Sequence, residues 1–346
     1  MRKLCTYMLA FTAFAIIAIV VAESVNAAET VKVGWSRYTG FEPLGLMQNT
    51  GIMEKWNKKM GTDVQLEFVG NYVDSVTLYS SGQYQGVAVT NMDVLAIAGV
   101  GGRHSTAVIV GDYSNGNDGL VLKGFSSLAK VKSNINLVEY SVSHYLLARC
   151  AEKMGVDINS FTLENTMDSD IPAVVEANDA IAVVAWNPML TSIKELNDAN
   201  IVCTSSEFPG EIIDMVVVSD DVDENSRKAL TGAWYEAMAL IKSGDVDTLS
   251  FLAEQSGSTL EDFMSQLKTT HLFYTANDAV SFIKDAELKA TMTKVVKFSF
   301  EAGVYDGVDD PNEIGVKFAD GSVMGDEANV MLTFDPSVTQ WVSTAK

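Results

Sequence analysis

Short apolar runs alternate with amphipathic stretches along most of this chain, and that alternation limits the fold more than any other feature. "VKVGW", "DVQLEFVG", "GVAVTN" and "STAVIVG" read as buried strands. Between them "PLGLMQNTGIMEKWNKKMG" reads as helix, break, helix, "YVDSVTLYSSG" as a helix stopped by a glycine, and "MDVLAIAGVGG" as a helix ended by glycines. Near-continuous apolar strands alternating with helices predict parallel-rich sheets covered on both faces.

The alternation is interrupted by "GDYSNGNDGLVLK", Gly111 to Lys123, and then restarts. "INLVEY", "SFTLENT", "AIAVVAW" and "NIVCTS" read as strands. Among the helices between them, "SVSHYLLARCAEKMG" has Ser141 as its N-cap and Gly155 just past its end, and "DIPAVVEAND" carries Pro172 in its first turn. "DMVVVSDD" returns as a strand, and from Val222 the pattern is helical almost to the end. A plain turn needs about two to five residues. The polar stretch 111–119 is longer, and it reads as a crossing between two α/β lobes. The chain would return near "GEIIDMVVV". The expected lobes are 28–112 with 217–346, and 113–216. Ligands of open α/β sheets sit beyond the carboxyl ends of the strands, so two facing lobes would place those ends around one cleft.

Residues 1–27 read as a secretory signal peptide: basic Arg2 and Lys3, an apolar run from Leu9 to Ala22, and Val25-Asn26-Ala27 as a cleavage site. The apolar run falls short of the roughly 20 residues of a membrane span. A periplasmic protein is expected. The whole chain carries a formal charge of −21, and −22 without the signal, which holds Arg2, Lys3 and Glu23. That balance argues against nucleic acid and anionic membrane surfaces and permits a cationic or neutral ligand. Cys150 and Cys203 can pair in an exported chain, but their spacing leaves the pairing open. His104, His144 and His271 show no metal-ligand spacing, so neither a metal nor a cofactor is expected.

Candidate ligand residues follow from strand ends and helix starts. Trp35 and Tyr38 follow the first strand, where an aromatic face can stack on a flat ligand or face a cation; core packing is the alternative for Trp35. Asn91 and Asp93 follow "GVAV", and Asp93 could equally cap the next helix. Asp112 and Asp118 flank the "SNGN" turn; a turn that satisfies its own backbone accounts well for Asn115 and Asn117 and less well for Asp112, which follows a buried strand directly. Glu139, Ser141 and His144 surround a helix start suited to an oxygen or an anion, with Ser141 as a simple cap the plainer reading. Trp186 and Asn187 end "AIAVVAW", and Glu211 and Asp214 precede the returning strand as carboxylates for a cation. Past the signal, arginine occurs only as Arg37, Arg103, Arg149 and Arg227, and Arg37 alone stands near a strand end, which disfavours an anionic ligand.

"GWSRYTGFEPLGLMQNTGIMEKW", "VTNMD" and "VGDYSNGNDGLVLK" resemble periplasmic substrate-binding proteins of nitrate/sulfonate/taurine-type ABC importers. "NLVEYSVSHYLLARCAEKMG", "AVVAWNPML", "FPGEIIDMVVV" and "ALTGAWYEAM" are similar to the subgroup found beside urea carboxylase genes. The resemblance implies a two-lobe (type II) periplasmic binding protein fold with two hinge crossings and a helical C-terminal part. It also implies a small-molecule ligand, urea or guanidine, and an ABC permease and ATPase complex as partner for a monomeric carrier. Arg37 and Glu42 depart from the more aromatic first loop of that family. Open alternatives are a taurine, sulfonate, nitrate or pyrimidine-type ligand, or a pyrimidine-precursor enzyme on the same fold. No GxSxG, HExxH, P-loop or CxxC motif supports an enzyme.

Overall fold

A computed structural model describes residues 28–344; the expected signal peptide lies outside the described residues. The strands are β1 Thr30–Trp35, β2 Asp63–Phe68, β3 Gly86–Thr90, β4 Ser105–Ser114, β5 Asp118–Lys123, β6 Ile135–Leu137 and β7 Leu163–Asn165. They continue with β8 Ala182–Trp186, β9 Ala199–Thr204, β10 Ile213–Val218, β11 Thr270–Leu272, β12 Gly315–Lys317, β13 Val323–Met324 and β14 Val330–Phe334. A 9-stranded sheet runs β13-β12-β14-β4-β10-β3-β1-β2, with β11 also on β4; a 5-stranded sheet runs β7-β6-β8-β5-β9. Helices flank both sheets. No helix among the described residues is long and apolar enough to cross a membrane.

β3 and β10 are buried along their whole length, as their unbroken Val/Ala/Met runs require. Both sheets are mixed rather than parallel, because the strands at the crossings run against their neighbours. β10 pairs antiparallel with β3 and β4, and β5 antiparallel with β8 and β9. The polar stretch is not one long loop. β4 runs on through Asp112 and Tyr113, which pair with Asp214 and Ile213, and β5 begins at Asp118. Only 115–117 turn. Polarity therefore did not end the strand, because its ladder partners continue. The lobe boundaries expected at 112 and 217 fall inside β4 and β10; the chain changes sheet at 115–117 and again at 205–212. The two crossings are tied together: Ser205 Oγ lies 2.7 Å from Ser114 Oγ and accepts from the Gly116 N–H at 2.8 Å.

The C-terminal part is helical through Glu301 except for β11, which pairs with β4, and β12, β13 and β14 then extend the first sheet. Strands of two to five residues carry too little alternation to be read beforehand. The segment expected as one helix after β3 is a short α-turn, Asn91–Asp93, continued by a π-helical turn, Val94–Gly99.

Cys150, in the helix Val142–Met154, is joined to Cys203 on β9, which fastens that helix to the edge of the second sheet. The bridge spans a sequence separation of 53, for which loop-closure entropy gives about 4 kcal/mol. Reduction, or Cys150→Ala with Cys203→Ala, should lower unfolding stability by about 2–4 kcal/mol. Denaturant unfolding with and without reductant checks this, and an unchanged midpoint would contradict it.

Candidate functional site

A cavity lies where the two sheets face each other. Its walls are the aromatic rings of Tyr38, Phe41, Tyr72 and Trp186 with the carboxyl groups of Asp118 and Asp214. Arg37, Thr90, Val142 and Ile212 complete it. The room it leaves for solvent is about 10 Å³, the size of a single water molecule, so its walls stand almost closed on one another.

Strand register places the polar groups. Asp214 on β10 stands opposite Thr90 on β3 and Asp112 on β4, so these side chains share one face. Asp118 on β5 stands opposite Trp186 on β8. Tyr38 donates its hydroxyl to Asp112 Oδ1 at 3.3 Å, and Ser114 Oγ donates to Asp118 Oδ2 at 2.5 Å. The loop after β1 reaches this cluster because residue 40 is glycine: a Cβ there would stand 2.3 Å from Asp112 Oδ2. Trp186 Nε1 donates to the Arg37 carbonyl at 3.2 Å, and the Trp186 ring meets Tyr72 edge-on at 5.5 Å.

Asp112, Asp118 and Asp214 are all buried, at no more than 3% exposure. The Oδ2 atoms of Asp112 and Asp214 have no hydrogen-bond partner among the described residues. Arg37, the basic residue of the wall, turns its charge to Glu42, with Nη1 at 2.9 Å from Oε2. Burial raises Asp112 to about 8 and Asp118 to about 7. It lifts Asp214 well above the carboxylate range, with the negative charges of Asp112 and Asp118 adding to the effect. As two carboxylates Asp112 and Asp214 repel; with one proton between them they can hydrogen-bond to each other. The arrangement accepts a cation, which would pair the free oxygens, or holds a proton in its place. Among the described residues no group of three or more His, Cys, Asp or Glu is arranged to hold a metal ion.

Of the residues expected from sequence, Tyr38, Trp186 and Asp214 line this cavity, and Asp112 stands behind Tyr38. Asp93 lies one layer further back, accepting from the Tyr72 hydroxyl at 2.7 Å, and burial raises it to about 7. The others are occupied elsewhere. Trp35 packs on Phe68 and donates Nε1 to Gln48 at 3.1 Å. Asn91 binds the Glu211 carbonyl and the Ile213 N–H, which pins the start of β10. Glu211 is held by Arg149, Tyr145 and Lys294; burial alone would raise its pKa, but these partners bring it below the ordinary value. Asn187 is bonded to Asn117 and to Thr191. Glu139 Oε atoms line no part of the cavity, and its N–H binds Asn165. Ser141 caps the helix Val142–Met154, accepting from the Ser143 N–H. His144 is buried in that helix's first turn, which lowers its pKa to about 4.

Sequence reasoning passed over Phe41, Tyr72, Thr90, Val142 and Ile212 as wall residues. Tyr72 carried a usable signal: it opens the helix just after β2.

No protein-family model matches the sequence, and no curated protein matches it. Solved structures do match the fold. The alkanesulfonate-binding protein SsuA from Xanthomonas axonopodis pv. citri, bound to MOPS, superposes with TM-score 0.66 at 13% identity, covering 80% of this chain and 94% of that one. The ligand-binding component of an ABC-type import system from Staphylococcus aureus, with zinc bound, gives 0.65 at 12%, covering 92% and 100%. The periplasmic nitrate-binding protein NrtA from Synechocystis PCC 6803 gives 0.56 at 14%, covering 92% and 99%. The chain thus has the periplasmic binding protein fold, two helix-flanked mixed sheets; at these identities the likeness extends to the fold alone.

The raised carboxyls make stability depend on pH. Unfolded aspartates titrate near 3.9. With folded values of about 7 for Asp93 and Asp118 and about 8 for Asp112, their contribution is fully present below the unfolded value and is lost as pH rises through about 7–8. His144 acts oppositely: lowered to about 4, it withdraws stability as pH falls from about 6.5 toward 4. Ligand-free protein should therefore melt at a lower temperature at about pH 8.5 than at about pH 6.5. Asp214→Asn should flatten that slope. Thermal melts across the interval decide it, and a Tm rising with pH would count against the assigned cluster.

Proposed function

We propose that this protein is the periplasmic solute-binding component of an ABC importer, capturing a small planar nitrogen cation, guanidinium, between its sheets for delivery to the permease and ATPase complex. One observation carries the reading: Asp118 and Asp214, the latter paired with Asp112, stand at a small aromatic-walled cavity whose basic wall residue, Arg37, is committed to Glu42. An unpaired buried charge is very unfavourable, so the site is complete only with a cation or with bound protons. Guanidinium presents donors in one plane, pairs with carboxylates in a two-pronged fashion and stacks on aromatic faces. Tyr38, Tyr72 and Trp186 supply such faces. The fold it shares with import-system binding components, and the resemblance of its motifs to the urea carboxylase-associated subgroup, support a carrier over a catalyst. The lobes are proposed as 28–112 with 217–346, and 113–216, closing about the crossings as a monomer.

Urea is a second reading, favoured by the same raised carboxyls: protonated near neutral pH, they can donate to its carbonyl. The two ligands separate by pH. Guanidinium needs carboxylates, so its binding should strengthen as pH rises through about 7–8 and should release protons; urea binding should weaken over the same interval.

Calorimetric titration of mature protein with guanidinium, urea and taurine tests this. Asp118→Asn and Asp214→Asn should weaken guanidinium by about 3–5 kcal/mol, the effect of breaking a buried pair, and urea far less. Trp186→Ala should weaken either by about 0.5–2 kcal/mol. Tight binding of urea or taurine with indifference to guanidinium would sink the charge argument. Unchanged guanidinium affinity in both carboxylate variants would sink the site assignment instead.

A further inference from the structure

We propose that Glu42 determines the specificity of the cleft: it sequesters the Arg37 guanidinium, which would otherwise occupy the carboxyl groups of Asp118 and Asp214 as an internal cation and shut out a cationic solute. This role rests on the cation reading of that cavity. Arg37 follows β1 and lines the same nearly closed space as Asp118 and Asp214. Its carbonyl accepts from Trp186, the ladder partner of Asp118, and the next residue, Tyr38, donates to Asp112. The backbone at 37 is thus held among the partners of the carboxyls, and a guanidinium on that tether has them within one small space. Yet among the described residues Arg37 makes an ion pair with Glu42 and none with the aspartates.

Glu42 and aromatic faces hold that charge away from them. Arg37 Nη1 lies 2.9 Å from Glu42 Oε2 and 3.2 Å from Oε1, so both carboxylate oxygens share it. The guanidinium carbon lies 4.4 Å from the centre of the Phe68 ring and 5.4 Å from that of Trp35. The Glu42 side chain is 0% exposed and that of Arg37 29%, so the carboxylate is the fixed member of the pair. Glu42 opens the helix Glu42–Asn49, and Gln255, from the helix Val246–Ser256, donates Nε2 to its carbonyl at 3.2 Å and to its Oε2. Residue 45 is glycine; a Cβ there would stand 2.2 Å from Gln255 Nε2, so the helix face is cleared for that side chain. Besides fixing the loop after β1, this arrangement has a consequence for binding. Arg37 carries the same group as the proposed solute, and a group on a short tether acts at an effective concentration on the order of millimolar. A more dilute solute wins the aspartates only where the tethered guanidinium has a better partner, and Glu42 is that partner.

Calorimetric titration of mature protein with guanidinium compares wild type, Glu42→Gln, and Glu42→Gln combined with Arg37→Met. It is run at about pH 8, where Glu42, lifted by burial to about 7, is charged. Glu42→Gln should bind guanidinium about tenfold or more weakly than wild type, and the double variant should regain affinity because it lacks the competitor. A merely structural role for Glu42 predicts the reverse order, since the double variant keeps fewer of the loop's contacts. Ligand-free melts give a second readout. The two variants both lack Glu42 and differ only in Arg37. Pairing with Arg37 lowers the raised pKa values of the aspartates and with them the stability lost on deprotonation, so Glu42→Gln should lose less Tm between about pH 6.5 and about pH 8.5 than the double variant. If Glu42→Gln does not fold, Glu42→Met replaces it in both comparisons; exchanging a buried ion pair for apolar side chains of similar volume is often neutral. Undiminished guanidinium affinity in the single variant, or no regained affinity in a folded double variant, overturns the proposal. If wild type ignores guanidinium, the ligand reading above fails and the melts decide the role of Glu42: a steeper fall in the double variant upholds it, and an equal or gentler one refutes it.

Discussion

The antiparallel pairing of Asp112 with Asp214 sets two buried carboxyl groups side by side at the inner end of the first sheet, and Asp118 adds a third charge from the second sheet. Like charges directly opposite in such a ladder repel. The surroundings show how the fold tolerates them: Tyr38 donates to one, Ser114 to another, and the register itself is anchored by the all-apolar pairs Met215 with Val89 and Val110. What remains unbalanced is charge, and it is concentrated beside the one aromatic-walled space between the sheets that the crossing strands create. The cavity owes its chemistry to those strands, because Asp112 lies near the end of β4, Asp118 begins β5 and Asp214 is the second residue of β10.

Contacts across the cleft depend on the same junction. Trp186 reaches the Arg37 carbonyl, and Gln266 accepts from Thr39 and donates to Thr191, so a C-terminal helix bridges both sides. Asp168, in the second sheet's half, stands at the start of the Tyr72–Ser80 helix, where Asn71 Nδ2 donates to its Oδ1 at 3.5 Å.

Much of the architecture was legible because strand and helix periodicities differ and glycines mark the ends, as Gly155 does past Met154. The residues that could be read, Tyr38, Trp186 and Asp214 on the cavity wall and Asp112 behind it, stand at or close to strand ends, where the rule for open sheets places ligands. The same rule pointed equally to Glu211 and failed there, because Arg149 and Lys294 reach it from helices far away in sequence. Trp35 failed for a related reason: its indole N–H had a partner, Gln48, one helix later. Asp118 read as a turn residue, since nothing local shows that β5 starts with it and faces Trp186. Strand ends narrow the choice of ligand residues; which of them stay free is decided by long side chains that arrive from elsewhere.

The protein's own guanidinium groups show what that difference means. Arg37 lies over Phe68 at 4.4 Å and Trp35 at 5.4 Å and bonds buried Glu42. Arg149 lies between Phe208 at 4.5 Å and Phe298 at 4.9 Å and bonds buried Glu211. Twice, then, the chain holds a guanidinium with aromatic faces and a desolvated carboxylate, a combination in which stacking and charge pairing reinforce each other. In both places the carboxylate has a basic partner, and in both the site is structural. The cavity brings together the same components, the rings of Tyr38, Tyr72 and Trp186 and the carboxyls of Asp118 and Asp214, but its one basic wall residue is already committed to Glu42. A site assembled from those parts and lacking a cation of its own is matched in charge by a cationic solute; an anion would add to the repulsion that raises Asp112 and Asp214.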